Sequence, residues 1–437
     1  WPGGGVRGSI AITNGTLVDG AGTRRADLLI QNGVIAEVGE KLDGDTIIDA
    51  DGLVVTPGFV DLQVHFREPG GEEAETIQTG SRGAALGGFT AVVVMPNTTP
   101  TIDSAAVVRQ IHDLSIDALC EVVPSAAITV DRDGEALAPM AELVRSGVRM
   151  FTDDGVGVQD ARMMRTALEY ASGLSHLADG FEIVLAQHCE VDALAAGGAM
   201  HEGEWSSRLG MPGQSAEAEE LMIARDVALA RLTDGRVHFQ HVTTARGVDL
   251  IRTAKAEGLK VTGEATPHHL CLDHSAVASF DTVFKVSPPL RTPADVSAIK
   301  AGLLDGTLDA IATDHAPHTR QDKERPFLDA PPGMIGVETA FAIANTELGA
   351  DIEKLVELLS INPARIAGID DRHGGPIEAG RPANLALLDL DEQWTITGAA
   401  LASRSSNTPF EGRSVRGKIR HTIWNGDLVV TNGEATR

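Results

Sequence analysis

Several polar residues of this sequence fall at or just beyond the ends of short apolar runs. They are His65, Asn97, Asp154, His188, His241 and Asp314. Short apolar runs predict buried strands, and enzymes built from parallel strands and helices carry their active sites at the carboxyl ends of those strands. A single histidine in such a place is usually a structural residue, but histidines scattered through a core would not line up in this way. The pattern therefore predicts one shared active site.

The types of these residues indicate a metal centre. His188 and His241 offer the neutral imidazole nitrogens that suit zinc, and a carboxylate from Asp314 or Asp154 completes a ligand set that leaves one position for water. A metal in such a set lowers the pKa of water from about 15.7 towards about 7 and polarises a carbonyl group. The sequence therefore predicts hydrolysis assisted by Zn²⁺.

The aspartates in and near this set have different predicted roles. Successive side chains of a strand face opposite sides, so only one of Asp153 and Asp154 can point at the site. We expect Asp154 to do so, and Asp153 to cap the following helix or to bond to nearby loops. Asp314 is the candidate general base and, later in the reaction, general acid, although a carboxylate at a strand end can also be a helix N-cap.

Other residues are candidates for binding an anionic substrate. Arg67 carries a planar fork of donors that matches a carboxylate, and Asn97 and His318 can add donors. An arginine at this position can equally be a surface salt-bridge partner. In the segment RPFLDAPPGMIGVET, the backbone at Pro332 and Gly333 either lines the pocket, forms a closing loop or is a plain surface excursion.

Gln63 departs from the expected metal-site pattern. It stands two residues before His65, where a second metal-binding histidine would be expected. An amide oxygen is a poor zinc ligand compared with imidazole. This position therefore raises the question of whether the metal site is intact.

The central part of the chain alternates short apolar runs with helical patterns such as SAEAEELMIARDVALARL. Candidate strands cover 59–65, 90–96, 118–127, 148–154, 182–188, 236–242, 260–266 and 309–315. This alternation predicts an α/β fold, a (β/α)₈ TIM barrel over residues 59–369. Residues 9–58 and 370–437 instead show β-patterned segments with NG and DG turn signals, which predict one small β-sandwich built from both ends of the chain.

Composition narrows the classes of partner. The formal net charge of −26 argues against nucleic acid or an anionic membrane surface, since both require a basic face. No apolar run is as long as the roughly 18–20 residues of a membrane helix, and the three cysteines contain no CxxC pair. We expect a cytoplasmic protein with reduced cysteines, which draws any anionic substrate by a local cluster of metal and arginine.

The motifs that contain these residues resemble those of one family. PGFVDLQVHFREPG, VVMPNTTP, FTDDG, AQHCE, TPHHL, PPLR, ATDHAPH and PGMIGVET occur in this order across nearly the whole chain. Together they look like bacterial dihydroorotase of the long, class I type in the amidohydrolase superfamily. The resemblance implies zinc-dependent, reversible cyclisation of N-carbamoyl-L-aspartate to L-dihydroorotate, the third step of de novo pyrimidine synthesis.

The same resemblance implies a role for each candidate residue. His65 binds one metal, Asp154 takes the position of a bridging carboxylated lysine, and His188 and His241 hold the second metal. Asp314 is metal-bound and catalytic, while Arg67, Asn97 and His318 bind the substrate carboxylate. Gln63 replaces the first histidine of an HxH pair, and Ser287 replaces an asparagine that usually contacts substrate. The resemblance thus implies one complete metal position and another that Gln63 weakens.

Two other readings stay open on the sequence alone. A hydantoinase or allantoinase is the near alternative, disfavoured by Arg67 and Asn97 as carboxylate holders. The second alternative is an inactive homologue that is kept as a structural partner of aspartate transcarbamoylase, since loss of one metal ligand, as at Gln63, is an early sign of such a protein. The sequence also leaves open that Gln63 was introduced deliberately. A homo-oligomer is expected in each case.

Overall fold

The N-terminal region of this mixed α/β protein consists entirely of strands and turns, as its alternating pattern predicts. The computed structural model describes residues 8–437. The strands of this region are β1 (Ile10–Thr13), β2 (Thr16–Asp19), β3 (Gly22–Arg25), β4 (Asp27–Gln31), β5 (Val34–Gly39), β6 (Thr46–Asp49) and β7 (Val54–Pro57). They are followed by a much longer region in which strands and helices alternate.

In this central region each predicted strand range overlaps an observed strand, and only β9 begins outside its range, by one residue. The strands are β8 (Phe59–Val64), β9 (Phe89–Val94), β10 (Glu121–Pro124), β11 (Met150–Thr152), β12 (Val184–Gln187), β13 (Met200–His201), β14 (Gly213–Gln214), β15 (Arg236–Phe239), β16 (Val261–Ala265) and β17 (Ala310–Ile311). The short strands β13 and β14, which the sequence did not predict, pair only with each other.

Helices separate most of these strands. They are α1 (Ile77–Leu86), α2 (Ala105–Leu114), α3 (Met140–Arg145), α4 (Ala161–Ser172), α5 (Asp192–Ala195), α6 (Glu204–Leu209), α7 (Glu217–Thr233), α8 (Ala245–Ala256), α9 (Pro293–Leu304), α10 (Arg320–Lys323), α11 (Ala340–Glu347), α12 (Ile352–Val356) and α13 (Asn362–Ala367). Within the described residues, no helix combines the length and the apolar character that crossing a membrane requires.

The central strands pair in parallel and in a closed order. Strands β8, β9 and β10 form one sheet, and β11, β12, β15, β16 and β17 form another. The bridge between Ala126 and Phe151 joins the two sheets just beyond β10, and the bridge between Val64 and His315 joins the last strand to the first. All carboxyl ends of these strands therefore face the same side.

Alternate residues of a central strand pack into different cores. Val184 and Ala186 of β12 belong to an inner cluster, whereas Leu185 between them belongs to the larger cluster that contains the helices. In β9, Val93 faces inward and Val92 outward in the same way. Because both faces of each strand are covered, the runs are apolar throughout rather than alternating.

The two ends of the chain share a second structural unit. The C-terminal strands are β18 (Leu385–Thr395), β19 (Ser414–Trp424), β20 (Asp427–Thr431) and β21 (Glu434–Ala435). One sheet has the order β21-β20-β19-β18-β7-β2-β3, so strands from both ends lie side by side, and the other has the order β5-β4-β1-β6. Ile12 and Leu28 of the smaller sheet share a buried cluster with Val55 and Leu387 of the larger one.

Candidate functional site

The residues selected from the sequence lie around one cavity at the carboxyl ends of the central strands. This cavity has a volume of about 240 Å³. Its lining includes Gln63, His65, Arg67, Asn97, Asp154, His188, His241, Ser287, Asp314, His318, Pro332 and Gly333. Every candidate from the sequence therefore contributes to the same cavity.

Asp154, His188 and His241 form the most compact group of ligand atoms. Their side chains are buried, and one ligand atom from each lies within 4.8 Å of the others. His188 Nδ1 is 2.9 Å from His241 Nε2, and each of these nitrogens is 3.8 Å from Asp154 Oδ1. Two imidazoles and one carboxylate match a catalytic zinc site with three protein ligands, so the donor set fits a metal ion.

The electrostatics of this group also suit a cation. Burial raises the pKa of Asp154, but the nearby His241, His65 and His188 outweigh it and hold that pKa far below its usual range. Burial lowers the pKa of His188, yet Glu190 and the carboxylates of the site raise it to about 9. A buried anionic carboxylate thus stabilises positive charge beside it.

The amide of Gln63 lies beside this ligand group. Gln63 Nε2 donates to Asp154 Oδ1 at 2.9 Å and to Asp314 Oδ1 at 3.3 Å. The opposite atom, Gln63 Oε1, is buried and has no hydrogen-bond partner among the described residues. The amide nitrogen of Gln63 therefore bridges the two carboxylates.

His65 lies between the two carboxylates and is held by Asn97. Its Nε2 is 3.0 Å from Asp314 Oδ1 and 3.4 Å from Asp154 Oδ2. On the other side of the ring, Nδ1 is 3.0 Å from Asn97 Oδ1. The Asn97 oxygen thus orients the imidazole of His65. Only the amide nitrogen of Asn97 is then left for the substrate contact predicted from the sequence.

Arg67 is a cation without a carboxylate partner. Its Nε donates to Pro317 O at 3.1 Å, and Nη2 lies 3.3 Å from His318 Nε2. Within residues 8–437 no carboxylate oxygen lies within 4.0 Å of its guanidinium nitrogens, so it is not a surface salt-bridge partner. Burial and the charge of Arg67 lower the pKa of His318 to about 3, so this imidazole is neutral at neutral pH.

The segment around Pro332 and Gly333 lines the pocket. Pro332 O is 2.8 Å from His318 Nε2, and Gly333 adopts a φ of +146°. A Cβ atom on Gly333 would lie 2.7 Å from His318 Nε2. This close approach explains why the chain has glycine here, and it excludes a plain surface excursion.

Sequence reasoning missed Glu190. Its Oε2 accepts a hydrogen bond from Ser287 Oγ at 3.0 Å and lies 3.7 Å from His188 Nε2. A carboxylate on the far nitrogen of a metal-binding imidazole fixes the orientation of the ring. The signal was present, because Glu190 closes the motif AQHCE. The hydroxyl group of Ser287 therefore already donates a hydrogen bond within the protein.

Asp153 faces away from the ligand group, as predicted. Its carboxylate accepts hydrogen bonds from the backbone amides of Ile128 and Thr129 at 2.8 and 3.0 Å, and from Thr129 Oγ1 at 2.5 Å. Of the two roles predicted for it, the structure confirms bonding to a nearby loop, since the N-cap of α4 is Asp160.

Comparison with known proteins agrees with this geometry. A family profile described as dihydro-orotase-like matches residues 52–246. A dihydroorotase of Pelotomaculum thermopropionicum is 44% identical over 430 residues, covering 96% of this chain and 98% of its own. A dihydroorotase of Mycobacterium tuberculosis is 44% identical over 421 residues, covering 94% of this chain and 96% of its own.

Solved structures show the same fold at lower identity. The L-hydantoinase (dihydropyrimidinase) of Arthrobacter aurescens superposes with a TM-score of 0.87 at 23% identity, covering 99% of this chain and 98% of its own. The dihydropyrimidinase of Brevibacillus agri gives 0.84 at 25%, covering 98% and 96%. With the cavity, its buried ligand group and the full-length similarity taken together, the chain belongs to the dihydroorotase family of metal-dependent cyclic amidohydrolases.

Proposed function

We propose that this chain catalyses the reversible, zinc-dependent cyclisation of N-carbamoyl-L-aspartate to L-dihydroorotate, the third step of pyrimidine synthesis, as a class I dihydroorotase. The observation that carries this proposal is Arg67, a cation that faces the cavity without a carboxylate of its own. Both proposed substrates contain a carboxylate that does not react. A fork of N–H donors binds such a group in a defined orientation.

Arg67, Asn97 and His318 bind this carboxylate in our proposal. The amide nitrogen of Asn97 is left for substrate because its oxygen faces His65. His318 is neutral and so contributes no charge; its Nε2, which faces Pro332 O at 2.8 Å, must turn from that carbonyl to donate to the substrate. Ser287 donates to Glu190 and lines the pocket beside the substrate, together with Pro332 and Gly333.

One zinc ion is held firmly by Asp154, His188 and His241 in this proposal. When bound, such an ion supplies Lewis-acid chemistry, which polarises a carbonyl group and makes water more acidic. A second position would use His65 and Asp314, and Gln63 weakens it because an amide oxygen is a poor zinc ligand compared with imidazole. The count of one tightly bound ion follows from this arrangement.

Asp314 moves the proton. Its Oδ1 contacts His65 and Gln63, so we assign Oδ2 to the reaction. In hydrolysis the carboxylate takes one proton from the attacking water and delivers it to the ring nitrogen that leaves, and the second proton of the water ends on Asp314 as the new carboxylate forms. In cyclisation the acid form is required instead, and the two directions should therefore show opposite dependence on pH. Identical pH profiles in both directions would count against this role.

The fold supports this assignment. We infer that the closed order of parallel strands is a (β/α)₈ barrel over residues 59–369. The two terminal sheets with their shared apolar core, from residues 9–58 and 370–437, form a β-sandwich. The proposed site lies on the face of the barrel where such enzymes bind substrate.

The decisive experiment measures L-dihydroorotate hydrolysis by zinc-reconstituted protein beside the Gln63→His variant, with bound zinc quantified in both. We expect the parent to turn over with about one tightly held zinc, and the variant to bind a second. Turnover of hydantoin or dihydropyrimidine but not of dihydroorotate would instead support a hydantoinase- or allantoinase-like enzyme.

Gln63 favours one second candidate function. A chain that had lost this ligand and its activity could serve as a structural partner of aspartate transcarbamoylase, as a homo-oligomer. A silent parent and an active Gln63→His variant would support that role. Association with the transcarbamoylase would not decide between the two functions, because active enzymes can also associate.

A further inference from the structure

The loop that follows β10 is held in an unusual conformation close to the ligand group. Asp131 and Arg132 are consecutive non-glycine residues with φ of 52° and 59°. Backbone conformations of this kind cost free energy and persist where the surrounding contacts impose them. Here Val130 N donates to Ala136 O at 2.9 Å and Gly134 N donates to Thr129 Oγ1 at 3.0 Å.

Asp153 anchors this loop to the strand that carries Asp154. Its carboxylate is 1% exposed and accepts the three hydrogen bonds from Ile128 and Thr129 described above. The two adjacent aspartates thus work on opposite sides of one strand end. One contributes to the ligand group, and the other holds the loop that returns to it.

The loop brings Arg132 to the backbone of Asp154. Arg132 Nη1 donates to Asp154 O at 2.8 Å. Strand β11 ends at Thr152, so Asp154 lies beyond the sheet ladder, and Gly155 follows with φ of +85°. Among the described residues no backbone amide donates to this carbonyl. Arg132 therefore supplies the hydrogen bond that the sheet does not provide.

Arg132 has no other strong interaction that would explain its place. Within the part of the chain that the structure describes, no carboxylate oxygen lies within 4.0 Å of its guanidinium nitrogens. Its Nε is buried without a hydrogen-bond partner there. A Cβ atom on Gly155 would lie 3.9 Å from Arg132 Nη1 and 3.7 Å from Asn97 Nδ2, so the arginine lies beside Gly155, which lines the cavity.

We propose that Arg132 is a positioning residue, which fixes the Asp154–Gly155 peptide so that the Asp154 carboxylate stays aligned with His188 and His241. This inference rests on the metal centre of the proposed function. Residues that orient a metal ligand typically change metal affinity about 10- to 100-fold when they are removed. The effect should appear in metal binding itself, before any substrate is added.

The test compares zinc affinity of the full-length protein by competition with a chromogenic chelator, without substrate. We expect Arg132→Ala to lose at least about 10-fold in zinc affinity and to alter the absorption spectrum of the Co²⁺-substituted protein. Arg132→Lys keeps a charged donor and should recover part of the loss. KM for dihydroorotate in the zinc-saturated variant should change far less than the zinc affinity.

Arg149→Ala is the matched control. Arg149 Nη1 also donates to backbone carbonyls, those of Val144 and Val148, but at the opposite end of β11. This variant should show a comparable change in melting temperature with unchanged zinc affinity. Equal zinc affinity in Arg132→Ala and the parent would overturn the inference, as would tighter binding, which would mean that the positive charge only repels the metal.

The design separates this inference from the proposed function. A parent that binds zinc without hydrolysing dihydroorotate would refute the activity and leave the affinity comparison intact. A parent that binds no zinc would refute both. If Arg132→Ala does not fold, Arg132→Met, which keeps the length of the side chain but no donor, replaces it, and unchanged zinc affinity and Co²⁺ spectrum in that variant would overturn the inference.

Discussion

At the scale of single residues, Gln63 shows how one amide can bridge two buried carboxylates. Its amide donates to Asp154 and Asp314, which lie close together and would repel each other as carboxylates. The two N–H groups of the amide reduce the repulsion between these carboxylates, as a cation would do more strongly. In return Gln63 Oε1 is left without a hydrogen bond, and a buried acceptor without a donor is unfavourable.

The role of Arg67 predicts a change in substrate discrimination. Arg67→Ala should lower kcat/KM for L-dihydroorotate by about 100-fold or more, because a charge-assisted pair of hydrogen bonds to the carboxylate is lost. Hydrolysis of dihydrouracil, the same ring without the carboxylate, should be nearly unchanged. Steady-state rates on both substrates check this.

Arg320 gives the matched control for that experiment. It lies on the nearby helix α10, is largely exposed and pairs with Glu324. Arg320→Ala should leave both rates within about twofold of the parent, since an exposed ion pair contributes little. Equal loss on both substrates in Arg67→Ala would show that the arginine supports the fold rather than the carboxylate.

At the scale of elements, Asp61 joins the first and last central strands through side-chain hydrogen bonds. The ladder between them is reduced to the single bridge of Val64 and His315. Asp61 adds hydrogen bonds from Thr313 N at 3.0 Å, Thr313 Oγ1 at 2.6 Å and Gln63 N at 3.2 Å. Burial raises its pKa to about 7. A side chain thus replaces backbone pairing where the strands diverge.

Removal of this side chain should destabilise the protein. Asp61→Ala leaves buried donors of Thr313 and Gln63 without an acceptor, so we expect a loss of about 2–4 kcal/mol. Asp61→Asn keeps an acceptor for the amides and should cost less than about 1 kcal/mol. Urea unfolding of both variants measures this, and equal destabilisation would contradict the explanation.

Gly333 predicts a defect in substrate binding that leaves metal content intact. In Gly333→Ala the new Cβ atom would displace His318, because it would lie 2.7 Å from Nε2. We expect KM for dihydroorotate to rise at least about 10-fold, the loss of roughly one hydrogen bond, with bound zinc unchanged. Gly349→Ala is the control, since Gly349 also has a positive φ but no atom within 4 Å of the added Cβ.

At the scale of the whole molecule, buried carboxylates make stability depend on pH in two opposite ways. Burial raises the pKa of Glu338 to about 7, against the hydrogen bond from Ala402 N. Burial would also raise the pKa of Glu121, but hydrogen bonds from His373 and Arg372 lower it to about 2. The first group favours folding in its neutral form, the second in its charged form.

These directions predict the behaviour of two variants. A raised carboxyl pKa means that stability falls as pH rises from about 4 to above 7, where the buried group must ionise. Glu338→Gln removes this cost, so it should be more stable than the parent at pH 8 by about 1–2 kcal/mol and equal to it near pH 4. Thermal unfolding at several pH values checks this.

Glu121→Gln should show the opposite sign. The lowered pKa contributes stability above about pH 4.5, which is lost as pH falls towards 2. This variant should therefore be less stable than the parent at pH 8, and the difference should shrink in acid. The same sign of change in both variants at pH 8 would contradict the assignment.

The sequence by itself determined the central strands and the types of residue at their ends. A strand that is buried on both faces appears in the sequence as a continuous apolar run. The polar residue at the end of the strand is its neighbour in sequence, so both can be predicted from the same segment. Each predicted range overlaps an observed strand, and the cavity includes residues as far apart as Gln63 and Gly333. The turn dipeptides marked the terminal strands in the same way.

Only the tertiary structure decided which partner each side chain has. The amide of Gln63 faces Asp154 and Asp314, and Glu190 faces His188 and Ser287. The sequence around these residues does not predict either set of contacts. Arg132 reaches Asp154 because Asp153 holds the intervening loop. Periodicity records whether a residue is buried, whereas its contacts depend on closure of the sheet and on rotamers selected by residues distant in the chain.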